Sequence, residues 1–205
     1  MTRDHLTDFL SHAAALPSPT QILRNRLFEQ PHFKKAAVLL AVVPQSGRPS
    51  ENEWGILLTR RSANLQHHAG QISLAGGGFE PQDADLTQTA LRETEEETGI
   101  PARLWQTFLA LPAGFTPSGY EVHTIPALCR NVPEIRTNPD EVAEAFFLPL
   151  PLALNPENYQ TRRFKHNGQS METPVLPYLH HDIWGLTAVI LYGLAERYAA
   201  YSRRN

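Results

Sequence analysis

The sequence predicts an α/β or α+β domain built around a mixed β-sheet. Three observations carry that expectation. Short apolar runs with β-branched residues are interspersed with segments of helical periodicity. Seventeen prolines and 12 glycines are scattered through 205 residues, which favours many short elements over a long helical bundle. Hydrophobic residues make up 41% of the chain against 19% charged, enough for a sizeable core in one domain and too apolar for a disordered chain.

The elements follow in order. Residues 1–34 read as one or two polar helices broken at Leu16-Pro17-Ser18-Pro19, an N-terminal helical extension packed on a domain that spans 35–205. Residues 35–43 are a short apolar run ended by Pro44, the pattern of a buried strand. Beyond the polar segment 45–53, residues 54–59 supply a partner strand with Arg60 and Arg61 at its end. Residues 70–79 are extended and then glycine-rich, and the triplet Gly76-Gly77-Gly78 allows a sharp turn or close approach of backbone to a ligand. Asp85 with Gln88 three residues later resembles a capping box, so a helix starts there. It ends at Gly99, with Pro101 two residues beyond. Strands are expected at 104–111, 120–128 and 142–148. A last helix is expected over 182–201, with Asp182 as N-cap and Ile183, Trp184, Ala188, Leu191 and Ala195 at helical spacing.

Charge and composition narrow the function. Eighteen basic against 21 acidic residues give a net charge of −3, so bulk charge offers no grip on nucleic acid. A single cysteine, Cys129, within an apolar strand, excludes an internal disulfide framework and a cysteine-based zinc cluster. The first ten residues carry Asp4 and Asp8 where a signal peptide needs an apolar core. The apolar run 183–195 is too short to span a bilayer and is followed by Glu196 and Arg197. A cytoplasmic protein without a membrane partner is expected.

The chemistry concentrates in Arg92-Glu93-Thr94-Glu95-Glu96-Glu97. On a helix Glu93, Glu96 and Glu97 project to one side, with Glu95 turned away. Like charges at that spacing oppose the helix, and anions in its last turns oppose the dipole. A hard divalent cation, Mg²⁺ or Mn²⁺, removes both penalties. The bland alternative is a solvated acidic face. The glycine triplet just upstream favours the metal reading, because a phosphate-cradling loop then lies beside the carboxylates.

These features together resemble the box of the Nudix hydrolase family, G-x5-E-x7-R-E-U-x-E-E-x-G-U with U aliphatic. The chain reads Gly78, then Ala84 at the first acidic position, then Arg92-Glu93-Thr94-Glu95-Glu96-Glu97-Thr98-Gly99-Ile100. Thr94 replaces the aliphatic residue. Ala84 is flanked by Asp83 and Asp85, so Arg92, which pairs with the box acid in the family, has Asp83, Asp85 or Glu80 to pair with. The family's coenzyme A diphosphatase-like subgroup carries L-L-T-x-R-S-x3-R-x3-G-x3-F-P-G-G upstream, and tends to carry the acid shifted as in Asp83. Here Leu57-Leu58-Thr59-Arg60-Arg61-Ser62, Gly70 and Gly76-Gly77 match, and Gln66, Leu74 and Ala75 depart. The segments 116–122, 140–142 and 183–187 also resemble that subgroup.

The resemblance implies a Nudix-type α/β/α sandwich with a mixed β-sheet between helices, and hydrolysis of a diphosphate. Glu93, Glu96 and Glu97 are the expected ligands of Mg²⁺ or Mn²⁺, Glu93 also the candidate base and Arg92 the supporting cation. The backbone at Gly76 and Gly77 is expected to orient the pyrophosphate. Arg60, Arg61, His67 and His68 either meet substrate phosphates or are an exposed strand end and polar loop. The two histidines are adjacent and diverge on a regular element, which argues against a metal role. Glu141 and Glu144 are either surface charges or an additional carboxylate, with Glu141 the better candidate because it lies in the subgroup's Asp-Glu-Val run. Arg162, Arg163 and Lys165 are a substrate rim or merely a basic strand. The implied substrate is a nucleoside diphosphate-linked small molecule, coenzyme A or its thioesters, giving 3′,5′-ADP and 4′-phosphopantetheine or its acyl form. The resemblance also makes a homodimer the expected assembly. Competing readings are another nucleotide substrate, such as ADP-ribose, NADH, a dinucleotide or a nucleoside triphosphate, or a non-catalytic ligand-binding module, for which Ala84 speaks.

Overall fold

The computed structural model describes residues 1–28, 32–45, 53–64, 68–166 and 169–204. The expectations at Gln66 and His67 lie outside the described residues. Two helices open the chain, α1 (Arg3–His12) and α2 (Pro19–Leu27), separated as the proline cluster predicts. Thr2 and Ser18 cap them by accepting from the backbone N–H of His5 and Gln21. Strands β1 (Lys34–Pro44), β2 (Trp54–Arg61), β3 (Ile72–Ser73) and β4 (Gly76–Gly78) lead into helix α3 (Leu86–Thr98). Strands β5 (Trp105–Thr107), β6 (Gly114–Phe115), β7 (Tyr120–Cys129) and β8 (Val142–Pro149) follow. The chain ends in helix α4 (Leu150–Leu154), strands β9 (Gln160–His166), β10 (Gln169–Tyr178) and β11 (His181–Ile183), and helix α5 (Gly185–Ser202).

The main sheet is mixed. β1 runs parallel to β7 from Lys34↔Tyr120 to Val42↔Leu128, and its other pairings are antiparallel. Period-two alternation sends Ala37, Leu39, Ala41 and Val43 to one face and Leu40 and Val42 to the other. The first face is covered by Ala90 of α3, with Ile100, Ile125 and Cys129. The second is covered by Leu6, Phe9 and Leu10 of α1 and by Ala188, Leu191 and Leu194 of α5. The result is the expected layering of helix, sheet and helix.

The sheet is not a simple hairpin stack. β1 and β2 pair at Val42↔Ile56, Val43↔Gly55 and Pro44↔Trp54. Further along, β1 takes β4 (Ala36↔Gly78 to Val38↔Gly76) while β2 takes β3 (Thr59↔Ser73, Arg60↔Ile72). The segment 72–78 is thus wedged between two strands that would otherwise zip together. Leu39 donates to the Ala75 carbonyl at 2.9 Å and closes the wedge. No local sequence signal announces this, because the pairing is set by strands far apart in the chain.

Two expectations are corrected. Asp182 is not a helix cap: it lies in β11, opposite Pro177, and its carboxylate meets Arg162 at 2.8 Å. An ion pair across twenty residues has overridden a local capping signal, and α5 starts only after Gly185 turns the chain at φ 67°. Residues 104–111 are strand only at β5, although Phe108 and Leu111 still donate to Pro126 and Thr124 of β7. Cys129 is buried, as its apolar strand predicts. Among the described residues no helix is long and apolar enough to cross a membrane.

The N-terminal helices are tied to α5 by polar contacts within the fold. Glu196 accepts from the Ser18 hydroxyl at 2.6 Å and the Thr20 hydroxyl at 2.8 Å, at the N-terminus of α2. Arg197, 2% exposed, donates to Gln21 at 2.8 Å and to the Gly193 carbonyl at 3.1 Å. Replacing Glu196 by Ala removes an anion from a helix N-terminus together with two charge-assisted hydrogen bonds. The expected loss is about 1–3 kcal/mol in urea unfolding; a loss below about 0.5 kcal/mol, as at an ordinary surface site, would show that α2 docks without this tie.

Candidate active site

The wedge delivers its glycines to the carboxylate helix. Gly77 lies against Glu93 so closely that a Cβ there would sit 2.4 Å from the Glu93 carboxyl carbon and Oε1. A Cβ on Gly76 would come within 2.3 Å of the Ala37 carbonyl oxygen. Gly76 therefore excludes any side chain, a side chain at 77 would displace the Glu93 carboxyl, and the backbone can approach α3 and whatever binds there.

Helix α3 forms as its caps predict. Asp85 accepts from Gln88 N–H at 2.8 Å, and Gly99 closes the helix in the left-handed region at φ 70°. The capping box is displaced by one residue: the Gln88 side chain accepts from the N–H of Ala84. Ala84 is exposed, and the acid that matters is its neighbour. Asp83, 5% exposed, takes Arg92 through both oxygens, Nε–Oδ1 at 2.9 Å and Nη2–Oδ2 at 3.1 Å. It also accepts from Glu80 N–H and the Thr89 hydroxyl. Hydrogen bonding to Arg92 holds the Asp83 carboxyl well below the usual carboxylate range, and the same pairing keeps Arg92 protonated.

The free edge of the same guanidinium reaches the site. Arg92 Nη1 donates to Glu93 Oε1 at 3.0 Å and to Glu96 Oε2 at 3.1 Å, and Nη2 reaches the Gly78 carbonyl at 3.3 Å. Glycine loop, helix and carboxylates are thereby pinned to one rigid fork. Glu96 remains exposed, while Glu93 is half-buried and its pKa is raised mainly by burial against the opposing pull of Arg92.

Glu97 is the unusual group. It is 2% exposed, and among the described residues its Oε2 has no hydrogen-bond partner. Burial pushes its pKa up to about 8; Arg61 opposes the shift, and the charges of Glu93 and Glu141 add to it. Arg61 Nε is likewise buried without a partner. An unpartnered buried carboxylate oxygen is costly. It is the kind of group that a divalent cation satisfies, and Glu93, Glu97 and Glu141 share one field with hard oxygen donors of the right chemistry. The residues present fit a divalent metal ion, and Glu93, Glu96 and Glu97 on one helix, with Glu141 opposite, are those that could hold it.

The structure brings together Glu93, Glu97, Glu141, Arg61, Gly76 and Gly77. It separates Arg60 from them. The register between β2 and β8 slips between Arg60 and Arg61, and Arg60 points to the other face of the sheet, where its Nε meets Glu144 Oε2 at 3.1 Å. Glu144 goes with Arg60, away from Glu141. His68 is exposed and bonded to Gln71 at 2.9 Å. The departures Leu74 and Ala75 are buried in the wedge.

On the far side of Gly76 and Gly77 lies a cleft of about 610 Å³. Val38 and Val122 of the main sheet, Ile72 and Leu74 of the wedge, and Leu186 and Ile190 of α5 give it an apolar interior. Arg24, Arg61 and Arg162 stand in its wall. Strands β9 and β10 close it through Phe164 and Thr173. The basic cluster 162–165 thus divides: Arg162 lines the cleft while paired to Asp182, and Arg163 faces outward on Glu172. Arg24 was not among the residues the sequence singles out. Segment 183–187 did carry a signal, but as the start of a helix rather than the wall of a cleft.

Comparison with known proteins identifies the family. The NUDIX domain family profile matches residues 33–167. A protein of Photorhabdus laumondii named "Uncharacterized Nudix hydrolase NudL" is 36% identical over 193 residues, 94% of this chain and 97% of its own length. Its namesake in Yersinia pestis is 35% identical over 199 residues, 96% of each chain. In three dimensions the Ap4A hydrolase of C. elegans shares the fold with a TM-score of 0.52 at 16% identity, over 84% of this chain and 99% of that one. A MutT/nudix family protein from Enterococcus faecalis aligns with a TM-score of 0.50 at 14% identity, over 98% of this chain and 75% of that one. With the carboxylate helix, its glycine loop and this extent of likeness in place, the chain belongs to the Nudix hydrolase family.

Proposed function

We propose that the chain is a metal-dependent diphosphatase that cleaves coenzyme A or its thioesters into 3′,5′-ADP and 4′-phosphopantetheine or its acyl form. The observation that carries the reading is the buried Glu97 carboxyl, with one oxygen unpartnered among the described residues, beside Glu93 and Glu141, and across Gly76 and Gly77 from a cleft whose interior is apolar and whose wall is basic. A diphosphate needs the first; a long, uncharged pantetheine arm and a second phosphate need the other two.

Mg²⁺ or Mn²⁺ held by Glu93, Glu96 and Glu97 would neutralise phosphate oxygens and acidify a water molecule. The protein's own groups do the rest. The side-chain-free backbone of Gly76 and Gly77 lets the diphosphate lie against the helix, and Arg61 is aimed at the same place. Glu93, whose basicity is raised by burial, accepts the proton of the attacking water. The oxygen of that water bonds to one phosphorus as the bridging anhydride bond breaks, and the second phosphate leaves with the bridging oxygen. Arg92 positions Glu93 and does not meet substrate. Arg24 and Arg162 are placed to receive a further phosphate group on the nucleotide. The reading carries with it a cytoplasmic setting and a homodimeric assembly.

Two measurements test it. In a panel of diphosphates with Mg²⁺ or Mn²⁺, products identified by mass, coenzyme A or an acyl thioester is expected to be cleaved at least tenfold faster than ADP-ribose or NADH. Equal rates would remove the coenzyme A assignment, and cleavage of none would support a binding module. In the same assay Glu97→Gln is expected to lower kcat by roughly 10²–10³ at saturating metal, whereas full metal-dependent activity in that variant would overturn the role given to the carboxylate helix.

A further inference from the structure

A second group of metal-ligating side chains lies on the opposite face of the sheet from the carboxylate helix. Among the described residues, Glu144, His180 and His181 each offer a ligand atom, and these atoms all lie within 4.8 Å of one another. Glu144 Oε1 stands 3.6 Å from His181 Nε2, and Glu144 Oε2 stands 3.9 Å from His180 Nε2.

The convergence depends on a particular turn. Adjacent histidines on a regular strand point to opposite faces. Here Tyr178 pairs with His181 across a two-residue turn, and Leu179 at its first position holds φ 55°, a conformation unfavourable to a branched side chain. Leu179 itself is 80% exposed, so the turn is not held by packing of that side chain. It brings the rings of His180 and His181 to 4.0 Å between centroids. His181 is buried and stacked on Phe146 at 4.0 Å and 8° between planes, which fixes its ring. His180 is exposed. The facing charges are few: Arg60 bonds Glu144 Oε2 at 3.1 Å, and Asp182, the next residue of β11, is engaged by Arg162.

We propose that Glu144, His180 and His181 form a second metal site, selective for a borderline transition ion of the Zn²⁺ type rather than for Mg²⁺. Two imidazoles and one carboxylate are a ligand set for zinc, cobalt or nickel, while magnesium takes oxygen ligands. Ligands to one ion stand about 2.0–2.2 Å from it, which puts tetrahedral ligand atoms roughly 3.3–3.6 Å apart, so the 3.6 and 3.9 Å separations from Glu144 are close to what one ion requires. Glu144 Oε1 faces His181, and Arg60 remains on Oε2 as the group that orients the carboxylate. Structurally the ion would clip β8 of the main sheet to the β10–β11 hairpin, which continues through Trp184 and Gly185 into the wall of the cleft. The site is independent of the proposed reaction and of its metal.

The test uses the full chain with excess Mg²⁺ to fill the carboxylate helix, and Co²⁺ as probe. About one Co²⁺ per chain is expected to bind, with visible d–d absorption of an ion held by imidazole nitrogen. His180→Ala, at an exposed position, and Glu144→Gln, nearly isosteric, are each expected to weaken binding more than tenfold and to lose the absorption, since loss of a ligand costs at least as much as loss of an outer partner. Unchanged far-ultraviolet circular dichroism verifies that both variants fold. Glu97→Gln is expected to leave the Co²⁺ signal intact. Absence of Co²⁺ binding in the presence of Mg²⁺, or binding that survives both variants, would overturn the proposal.

Discussion

The bidentate pair between Arg92 and Asp83 is the interaction on which the site depends. Several carboxylates crowded on the last turns of a helix repel each other and the helix dipole, so nothing local keeps them in place. Asp83, buried and backed by Thr89 and the Glu80 N–H, fixes one edge of the guanidinium. The other edge is then available to Glu93, Glu96 and the Gly78 carbonyl at once. Loop and helix cannot move apart without breaking a charge-assisted hydrogen bond on one side or the other. With Arg92 committed to Glu93 and Glu96, Glu97 is left buried with an oxygen that no donor among the described residues satisfies.

The glycine wedge is the second half of the same constraint. Splaying β1 and β2 makes room for residues 72–78; only glycine at 76 clears the Ala37 backbone, and glycine at 77 leaves the Glu93 carboxyl its place. The wedge has two sides. One meets the carboxylates, and the other lines the apolar cleft under β9, β10 and the start of α5. The neighbouring residues Arg60 and Arg61 diverge at the end of β2, one held by Glu144 and the other lining the cleft within the field of Glu97.

Much of this was legible in the chain. The caps Asp85 and Gly99 bound the helix because they act on neighbouring backbone groups, and the alternating apolar run of β1 reports its two buried faces. The spacing of Glu93, Glu96 and Glu97 gives their common side directly. What could not be read depends on partners distant in sequence. Asp182 carries a good capping signal that Arg162 cancels, and Arg60 and Arg61 look equivalent until the strand register sends them to opposite faces. Strands β9 to β11 are polar and charged outside, so their pairing left little apolar periodicity to find. The acid partner of Arg92 was narrowed to Asp83, Asp85 or Glu80, but choosing Asp83 required seeing Asp85 spent as the helix cap and Glu80 contributing only its backbone N–H. His180 and His181 converge only because a strained turn precedes them.

The role of the carboxylate helix turns on whether Glu97 exchanges a proton for a metal ion. A carboxyl whose pKa is lifted to about 8 is mostly protonated near neutral pH, and a cation that binds it has to displace that proton. Calorimetric titration of Mg²⁺ in buffers of different ionisation enthalpy reads the displacement directly. Release of about one proton per ion is expected near pH 7, falling to none well above pH 8, with none at pH 7 in Glu97→Gln. Binding without proton release near pH 7, or release unchanged in that variant, would contradict the central claim.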